Sequence, residues 1–287
     1  MDAARQDAEE QALLWNGVVG QAWVEAQALL DQMFKPIEDL LVEAVAAGPG
    51  SRVLDVGCGT GGVSLAAARR LGPEGRCVGI DISEPMIAAA RARAERDGTP
   101  ASFIRADAQT HGFEPDGFDM IISRFGVMFF DDFAQAFGNL RRAAREGAEI
   151  RFVAWRSAAE NPFMTTAERA AAPLLPDLPA RRPNAPGQFA LADQRRIHGI
   201  LEESGWTGTD IRPIDLACAF PETELLRFVT RLGPVGRMLH EADDRTRARV
   251  AETLRLAFAP YVQGAEARFT AACWTVGARA PSTSEHA

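Results

Sequence analysis

One stretch decides the fold of this chain: Val53-Leu54-Asp55-Val56-Gly57-Cys58-Gly59-Thr60-Gly61-Gly62. It begins with three apolar residues and one acid, a pattern typical of a short buried strand. The glycines that follow predict a sharp turn into a helix, because glycine adopts positive φ angles and lets a ligand approach the backbone closely. The start of that helix offers unpaired backbone N–H groups. The stretch therefore predicts a strand–turn–helix unit that binds a nucleotide-like ligand.

Asp55 bears on which ligand this unit binds. Gly57, Gly59 and Gly62 also satisfy the G-x-G-x-x-G pattern of dinucleotide sites, which is a weak signal by itself. The Asp55 carboxylate would lie near the turn, where it would repel a pyrophosphate and attract a cationic ligand. A cationic ligand is therefore favoured, and an NAD-binding site stays open as the alternative.

The next predicted strand, residues 77–82, ends near Asp81. A carboxylate at that strand end can accept hydrogen bonds from both ribose hydroxyls of an adenosine. An NAD site needs an acid at the same spacing, so Asp81 does not distinguish the two ligands. Ser83 then has the position of a helix N-cap, with Pro85 in the first turn and Met86 on the apolar face.

Two further strand patterns follow, over residues 103–108 and 118–123. Asp107 lies near the end of the first, and Ser123 ends the second, which runs directly into Arg124. Ligands of open α/β sheets bind outside the carboxyl ends of the strands. We therefore expect these polar side chains to lie at one common site with the two earlier acids.

In order and spacing, Asp55, Asp81, Asp107 and Ser123 resemble the motifs of the class I SAM-dependent methyltransferases. The first motif of that family is an acid followed by G-x-G-x-G, which here runs from Asp55 to Gly61. The chain is similar to the small-molecule enzymes of the ubiquinone/menaquinone-biosynthesis type. S-adenosyl-L-methionine carries an ammonium and a sulfonium and no phosphate, which agrees with the charge of Asp55.

The resemblance implies an α/β fold with a Rossmann-like, seven-stranded, mostly parallel sheet, N-terminal helices and a helical lid insertion. It implies transfer of a methyl group to a small-molecule acceptor at N, O, S or C, with S-adenosyl-L-homocysteine as product. A SAM-binding protein without turnover, acting as a sensor or partner, remains a second possibility. The resemblance assigns the cofactor to Asp55, Gly57, Cys58, Gly59, Thr60, Gly61, Asp81, Ile82, Met86, Asp107, Ala108, Ser123, Arg124 and Phe125.

The acceptor side of the site is less defined. The candidate pocket residues are Trp15, Trp23, Met128, Phe129 and Trp155. The two N-terminal tryptophans suit either a wall facing the cationic sulfonium or ordinary helix anchoring. Arg124 suits an anchor for an anionic substrate group or, as favoured, a partner for a nearby carboxylate. No catalytic base is identified, although His240 and His111 are weak candidates.

The outer segments surround this core. We expect an N-terminal helical segment at 1–47, the SAM-binding core at 48–156 and its continuation at 193–220. A pocket loop with a short helix at 157–192 and a helical insertion at 221–263 are expected to wall the substrate pocket. The last core strand at 264–280 is expected to close an antiparallel hairpin, and residues 281–287 are expected to form a disordered tail.

Composition limits the function classes. The chain has 287 residues, 47% of them apolar, and a net charge of −8, which argues against a nucleic-acid partner. No apolar run has membrane-spanning length, and the acidic start is not a signal peptide. The four cysteines and four histidines are scattered, which predicts reduced thiols in a cytoplasmic protein and no metal site. The sequence makes no prediction of oligomeric state.

Overall fold

The computed structural model describes residues 13–46, 48, 50–182 and 185–282. Five parallel strands form the larger part of its one sheet, in the order β3-β2-β1-β4-β5. They are β1 (Arg52–Val56), β2 (Arg76–Asp81), β3 (Ala101–Arg105), β4 (Phe118–Arg124) and β5 (Ala144–Trp155). The chain leaves β1 toward β2 and returns on the other side as β4. This reversal is the switch point at which open α/β sheets bind ligands.

Antiparallel strands complete the other edge of the sheet. β8 (Glu266–Arg279) pairs with β5 and with β6 (Thr207–Pro221), and the two-residue β7 (Val262–Gln263) pairs only with β8. The predicted α/β fold with a mostly parallel sheet and a terminal antiparallel hairpin is therefore confirmed. The seven expected strands are present, and β7 is an additional short strand that the sequence pattern did not reveal.

Helices connect and cover the strands. In chain order they are α1 (Val18–Glu25), α2 (Gln27–Met33), α3 (Lys35–Ala44), α4 (Gly62–Leu71), α5 (Glu84–Asp97), α6 (Phe133–Ala143), α7 (Pro162–Ala171), α8 (Gln194–Glu203), α9 (Leu225–Arg231), α10 (Gly233–Glu241) and α11 (Asp244–Phe258). Short 3₁₀ turns cover Gly126–Phe129, Glu222–Glu224 and Ala259–Tyr261. No helix within the described ranges is long and apolar enough to cross a bilayer.

Helix α6 shows how local sequence fixes these elements. Phe133, Phe137 and Leu140 recur at helical spacing and are all buried in the main core. Asp132 caps the start of the helix, and its carboxylate accepts the N–H of Gln135 at 2.9 Å. The main core cluster is continuous with residues from the N-terminal helices, including Ile37. A second, smaller apolar cluster holds α5 to the sheet through Ile87, Ala90 and Phe103.

The third strand is shorter than predicted. It ends at Arg105 and not at residue 108. The Asp107 carboxylate accepts the backbone N–H of Gln109 at 2.8 Å, a local bond that stabilises a turn in place of further strand pairing. The consequence is that Asp107 lies on a turn at the sheet edge.

The segments 157–192 and 221–263 build a second packed region. Six residues form what we call the aromatic cluster: Phe163, Phe220, Phe228, Phe258, Tyr261 and Phe269. Phe163 of α7 stacks on Phe269 of β8, with ring centroids 4.1 Å apart. Helix α7 also packs against α10 and α11. These two segments therefore pack on each other and on the antiparallel strands.

Candidate active-site cleft

A cleft opens at the carboxyl ends of β1, β2 and β4 and is walled on one side by residues of the N-terminal helical region. Including its open mouth, it encloses about 1280 Å³, ample for a nucleoside-sized ligand and a second small molecule. The cleft therefore lies where the strand-end residues were expected to meet.

The floor of the cleft is formed by two glycine-dependent turns. Gly57, Gly59 and Gly61 have φ angles of 67°, 54° and 83°, which L side chains rarely adopt. A Cβ on Gly57 would lie 2.5 Å from the Cα of Gly126, in the turn after β4. The two turns can approach this closely only because neither residue has a side chain.

Asp81 fixes the position of the glycine turn. Its carboxylate accepts the backbone N–H of Gly59 at 2.8 Å and that of Ser83 at 2.9 Å. Burial raises the pKa of Asp81, while the backbone hydrogen bonds from Ser83 and Gly59 oppose the rise. Each carboxylate oxygen can accept a second bond. Asp81 can therefore hold the turn and still accept hydroxyl groups of a ligand.

Asp55 is a buried carboxylate with one oxygen satisfied. Its Oδ2 accepts the Ser64 hydroxyl at 2.6 Å, whereas Oδ1 is buried and has no hydrogen-bond partner among the described residues. Burial raises the pKa of Asp55 to about 6, and the Ser64 hydrogen bond and the nearby charge of Arg124 oppose this rise. Such a group is costly to the fold and is poised to interact with a cation in the cleft.

Arg124 and Phe125 form the wall after β4. Arg124 lines the cleft, and its Nη1 is buried without a hydrogen-bond partner among the described residues. Phe125 has a φ of 66°, which is unusual for a residue with a large side chain. Its ring stacks on Trp155, with centroids 4.7 Å apart. Trp155 therefore supports Phe125 from behind and does not line the cleft.

The opposite wall comes from the N-terminal region. Trp15 meets Trp23 edge to face at 5.8 Å and Phe129 at 5.3 Å between ring centroids. These three rings line the cleft together with Asp31 and Phe34. The aromatic surface offers contact to apolar or cationic groups of a bound molecule.

The N-terminal wall is bonded to the segment after Asp81. The Ser83 hydroxyl donates to the Trp15 carbonyl at 2.7 Å, so Ser83 does not cap α5 through its side chain as the sequence predicted. The N–H of Glu84 instead donates to the Asn16 Oδ1 at 2.8 Å, and the Asn16 amide donates to the Ile82 carbonyl at 3.2 Å. Asn16 thus caps α5 from a distant part of the chain.

Most of the predicted cofactor residues are brought together in this cleft. Those that line it are Asp55, Gly57, Cys58, Gly59, Thr60, Asp81, Ile82, Met86, Asp107, Ala108, Arg124 and Phe125. Gly61 is the left-handed N-cap of α4, and Ser123 donates to the Val56 carbonyl at 2.7 Å, so these two shape the turns from outside the lining. The assignment of each residue to a cofactor atom stays a prediction.

Some of the predicted acceptor and catalytic residues line the cleft, and others lie away from it. Trp15, Trp23 and Phe129 line the cleft, whereas Met128 is buried in the main core. His111 packs edge to face on Phe113, and His240 is exposed on α10. Neither histidine is among the described lining residues. The two weak candidates for a catalytic base are therefore not placed at the cleft.

The two expected pocket segments contribute no described side chain to the lining of the cleft. No described residue of 157–192 or 221–263 is among those that line the cleft. Their apolar side chains are buried in the aromatic cluster, and Arg227 donates to the Glu25 carbonyl at 3.3 Å at the end of α1. Burial of their aromatic residues accounts for their absence from the lining. Their role as walls of a substrate pocket stays a prediction, since the Gly187 N–H donates to the Met128 carbonyl at 2.9 Å, next to Phe129 of the lining.

Sequence reasoning missed several lining residues, of which Asp31 matters most for charge. It lies in α2 between Leu30 and Met33, both buried. An acid within an otherwise apolar cluster was the signal that could have revealed it.

Comparison with known proteins identifies the core. Residues 53–147 match a family model described as a methyltransferase domain. This segment therefore resembles a methyltransferase domain. The chain is 34% identical over 139 residues to aklanonic acid methyltransferase from a Streptomyces species, a match that covers 47% of this chain and 63% of that protein. The chain spans about half the length of the first curated relatives it matches.

Solved structures share the fold of this chain. The [4+2]-cyclase SpnF superposes with a TM-score of 0.57 at 18% identity, over 92% of this chain and 95% of that one. Phosphoethanolamine N-methyltransferase 2 of Haemonchus contortus, in complex with S-adenosyl-L-methionine, superposes with a TM-score of 0.51 at 17% identity, over 98% and 59%. At these identities the likeness shows the fold alone, and one fold carries several chemistries.

Proposed function

We propose that this chain is a SAM-dependent methyltransferase that acts on a small-molecule acceptor. The observation that carries the proposal is Asp55, a carboxylate that is 1% exposed and leaves one oxygen unpaired at the cleft, directly before the glycine turn. A ligand with positive charge satisfies that oxygen, whereas a pyrophosphate would be repelled by it. The match of residues 53–147 to a methyltransferase domain supports the same conclusion.

The residues in the cleft fit this cofactor. Asp81 would accept the ribose hydroxyls, because its carboxylate faces the cleft and has unused acceptor capacity. Ile82, Met86 and Ala108 offer apolar contact to a flat base, beside Asp107 as a polar partner. When bound, S-adenosyl-L-methionine supplies a methyl group activated by its sulfonium. The protein then has to position the acceptor and exclude water.

The acceptor is proposed to bind against the rings of Trp15, Trp23 and Phe129. An aromatic wall favours an apolar or ring-containing small molecule. The relative that acts on aklanonic acid is consistent with such an acceptor. The described lining residues include no histidine, so we propose that the reaction depends on positioning more than on a histidine base. We also propose a cytoplasmic location, which four buried free cysteines support.

Two alternatives make different predictions. An NAD-dependent enzyme would bind a dinucleotide, which five carboxylates among the described lining residues disfavour: Asp31, Asp55, Asp81, Asp107 and Asp131. A SAM-binding sensor would bind the cofactor and release no methylated product. The sensor stays an alternative because the fold alone does not imply methyl transfer: the cyclase SpnF shares it.

Two measurements separate these functions. Calorimetry on the full chain should show binding of S-adenosyl-L-methionine and S-adenosyl-L-homocysteine and none of NAD or NADP. Incubation with methyl-labelled cofactor and metabolite fractions should then transfer label to a small molecule. Binding of NAD without SAM would overturn the proposal, and SAM binding with no transfer to any fraction would favour the sensor.

A further inference from the structure

Aromatic side chains are concentrated in the cleft. Six of its 26 described lining residues carry rings, whereas 8% of the whole chain is aromatic. They are Trp15, Trp23, Phe34, Phe125, Phe129 and Phe130. A wall of this kind favours molecules with rings over small polar ones. The question is then which side chains would orient such a molecule and which charge it would carry.

The Phe125 ring is held rigidly in this wall. Trp155 stacks on it at an interplanar angle of 10°, and Phe34 meets it edge to face at 5.5 Å between ring centroids. Its N–H donates to the Val153 carbonyl at 3.1 Å, and its φ of 66° is costly for a side chain of this size. Because Trp155 covers one side of a ring that lines the cleft, a flat molecule in the cleft can stack on the other side.

Arg124, directly before Phe125, adds a positive charge to the same wall. It is the one Arg, Lys or His among the described residues that line the cleft. Its Nη1 is buried without a hydrogen-bond partner in the described ranges of the chain. A buried donor of this kind costs free energy until an acceptor reaches it. The position of Arg124 beside a stacking ring therefore suits a ligand that has both a ring and an anionic group.

Two acids of the N-terminal helices already have other cationic partners. Arg93 donates to Asp31 Oδ2 at 2.7 Å. Glu38 lies 3.5 Å from the Lys35 ammonium. The charge of Arg124 acts on Glu38, but no ion pair within 4.0 Å joins Arg124 to a described carboxylate. Pairing with a neighbouring acid, the structural role favoured from the sequence, is therefore incomplete.

The charges around Arg124 favour an anionic acceptor. Asp55 lies on β1, the strand next to β4, and its charge acts together with that of Arg124. When bound, the proposed cofactor adds an ammonium, a sulfonium and a carboxylate. Counted with Arg124 and Asp55, positive groups would then outnumber negative groups by one. Uncompensated charge in a largely buried site is costly, so an acceptor with one negative charge fits better than a neutral or cationic one.

The remaining lining acids belong to the other half of the cleft. Asp81 ends β2 and Asp107 follows β3, and β1 separates both strands from β4. Both carboxylates already accept backbone N–H groups. Asp131 precedes Asp132, whose N–H donates to the Gln109 side chain at 2.9 Å, so it also lies toward the β3 side. These three acids therefore do not neutralise the end of the cleft that Arg124 and Phe125 form.

We infer that the acceptor is a flat aromatic acid, whose ring stacks on Phe125 and whose carboxylate is bound by Arg124. This inference rests on the proposed function and names the acceptor class for the same cleft. Trp15 and Phe129 would contact the ring from the N-terminal side. Arg124 and Phe125 are then the residues that determine acceptor specificity, one through charge and the other through shape.

Matched probes test the inference without an assay of activity. The chain is first saturated with S-adenosyl-L-homocysteine, so that the cofactor's own carboxylate is present throughout. Calorimetry then compares 2-naphthoate with its neutral amide, 2-naphthamide, and with decahydro-2-naphthoate, which has the charge but no flat ring. The wild-type complex should bind 2-naphthoate about tenfold to hundredfold more tightly than the amide, the effect of a charge-assisted hydrogen bond. It should prefer 2-naphthoate to the saturated acid about twofold to tenfold.

Variants then assign each preference to a side chain. Arg124→Met should remove the preference for acid over amide, and Arg124→Lys should restore part of it, because lysine keeps the charge but not the bidentate geometry. Phe125→Leu should remove the preference for the flat ring over the saturated one and keep the preference for acid over amide. The matched control is Arg52→Met, at the amino end of β1 with a buried unpaired Nε of its own; it should change neither preference.

The outcomes are distinct. If Arg124→Met weakens acid and amide equally, Arg124 only supports the cleft wall and the inference is overturned. If it weakens S-adenosyl-L-homocysteine and leaves the preference for acid over amide intact, its anion belongs to the cofactor and the inference is overturned equally. A wild-type complex that binds none of the three probes, or shows no preference among them, overturns the acceptor class while the proposed function stands. If the wild-type chain does not bind S-adenosyl-L-homocysteine, the proposed function fails and the inference fails with it.

Discussion

The cleft wall and the aromatic cluster are both largely buried, yet they differ in how their polar atoms are treated. In the aromatic cluster the one polar ring, Tyr261, approaches the Thr166 hydroxyl at 3.4 Å, and the other rings fill space against each other. In the cleft wall, Asp31, Asp55 and Arg124 keep buried atoms without partners. The difference indicates that packing in the aromatic cluster serves stability, whereas the cleft wall retains polar groups that a bound ligand would satisfy.

The largest expected effect on stability lies in the aromatic cluster. Phe258 is 1% exposed, and Phe258→Ala should lower the free energy of unfolding by about 3–5 kcal/mol through lost burial and the cavity left behind. Denaturant titration measures the loss. Leu256→Ala, on the same helix but 61% exposed, is the control and should change little. A large loss of S-adenosyl-L-homocysteine affinity in folded Phe258→Ala protein would contradict the separation of the two regions.

The next largest effect should arise at the floor of the cleft. Gly57→Ala places a Cβ 2.5 Å from Gly126 and keeps a positive φ, which together should cost about 2–5 kcal/mol of stability and abolish tight cofactor binding. Gly98→Ala has a similar φ of 60° with no atom near its Cβ, so it reports the backbone strain alone. If both variants lose the same stability and Gly57→Ala still binds, the close approach of the two turns is unimportant.

Substitution of Asp55 should have the opposite effect and increase the stability of the fold. Its pKa is raised to about 6 in the folded chain, above the ordinary value of 3.8, so ionisation opposes folding. This penalty is absent below the ordinary pKa and complete above about pH 6. Asp55→Asn should therefore raise the free energy of unfolding by at most about 3 kcal/mol near neutral pH, with little gain near pH 4. Thermal unfolding across this range measures the difference.

Two comparisons accompany the Asp55 test. Asp244→Asn, at a fully exposed side chain, is the control and should change the free energy of unfolding little. Asp55→Asn should also weaken S-adenosyl-L-homocysteine, because the ammonium loses a charged partner. A variant that is less stable at every pH would show that the carboxylate supports the fold, and the contrast between the two regions would disappear.

The smallest of these effects is expected at Asp81. Asp81→Asn keeps the size of the side chain but replaces one acceptor oxygen by a donor facing Gly59 or Ser83. Loss of a charge-assisted bond should weaken S-adenosyl-L-homocysteine by about 1.5–3 kcal/mol in calorimetry. Glu84→Gln, whose carboxylate pairs with Arg105, is the control. Unchanged affinity of the Asp81 variant would place the ribose elsewhere.

The sequence predicts the strand-end part of the site well, because strand periodicity and glycine turns are local signals. Asp55, Asp81 and Asp107 follow such signals, and all three line the cleft. Asp193, a residue type typical of helix N-caps, likewise accepts the N–H of Arg195 at the start of α8. Local rules of this kind need no knowledge of the rest of the fold.

What the sequence did not predict depends on contacts between distant segments. Asp31 reaches the cleft because Arg93, 62 residues later, holds it there. Ser83 had every local property of a cap, but its hydroxyl binds Trp15. The aromatic residues of the 157–192 and 221–263 segments pack on one another, a contact between distant residues that no local pattern reveals. In each case tertiary packing overrides the local pattern.

The cap that Asn16 provides has a consequence for how the molecule can be divided. The matched domain begins at residue 53, yet the Glu84 N–H in the first turn of α5 donates to the side-chain oxygen of Asn16. A fragment cut to residues 53–147 would lose this cap, and loss of a cap typically lowers stability by about 0.5–2 kcal/mol. The fragment would also lack Trp15 and the Asp31 carboxylate, which line the cleft. The recognisable domain is therefore smaller than the physical unit that can hold a ligand, and dissection at its boundaries would yield a protein with the motifs but without the site.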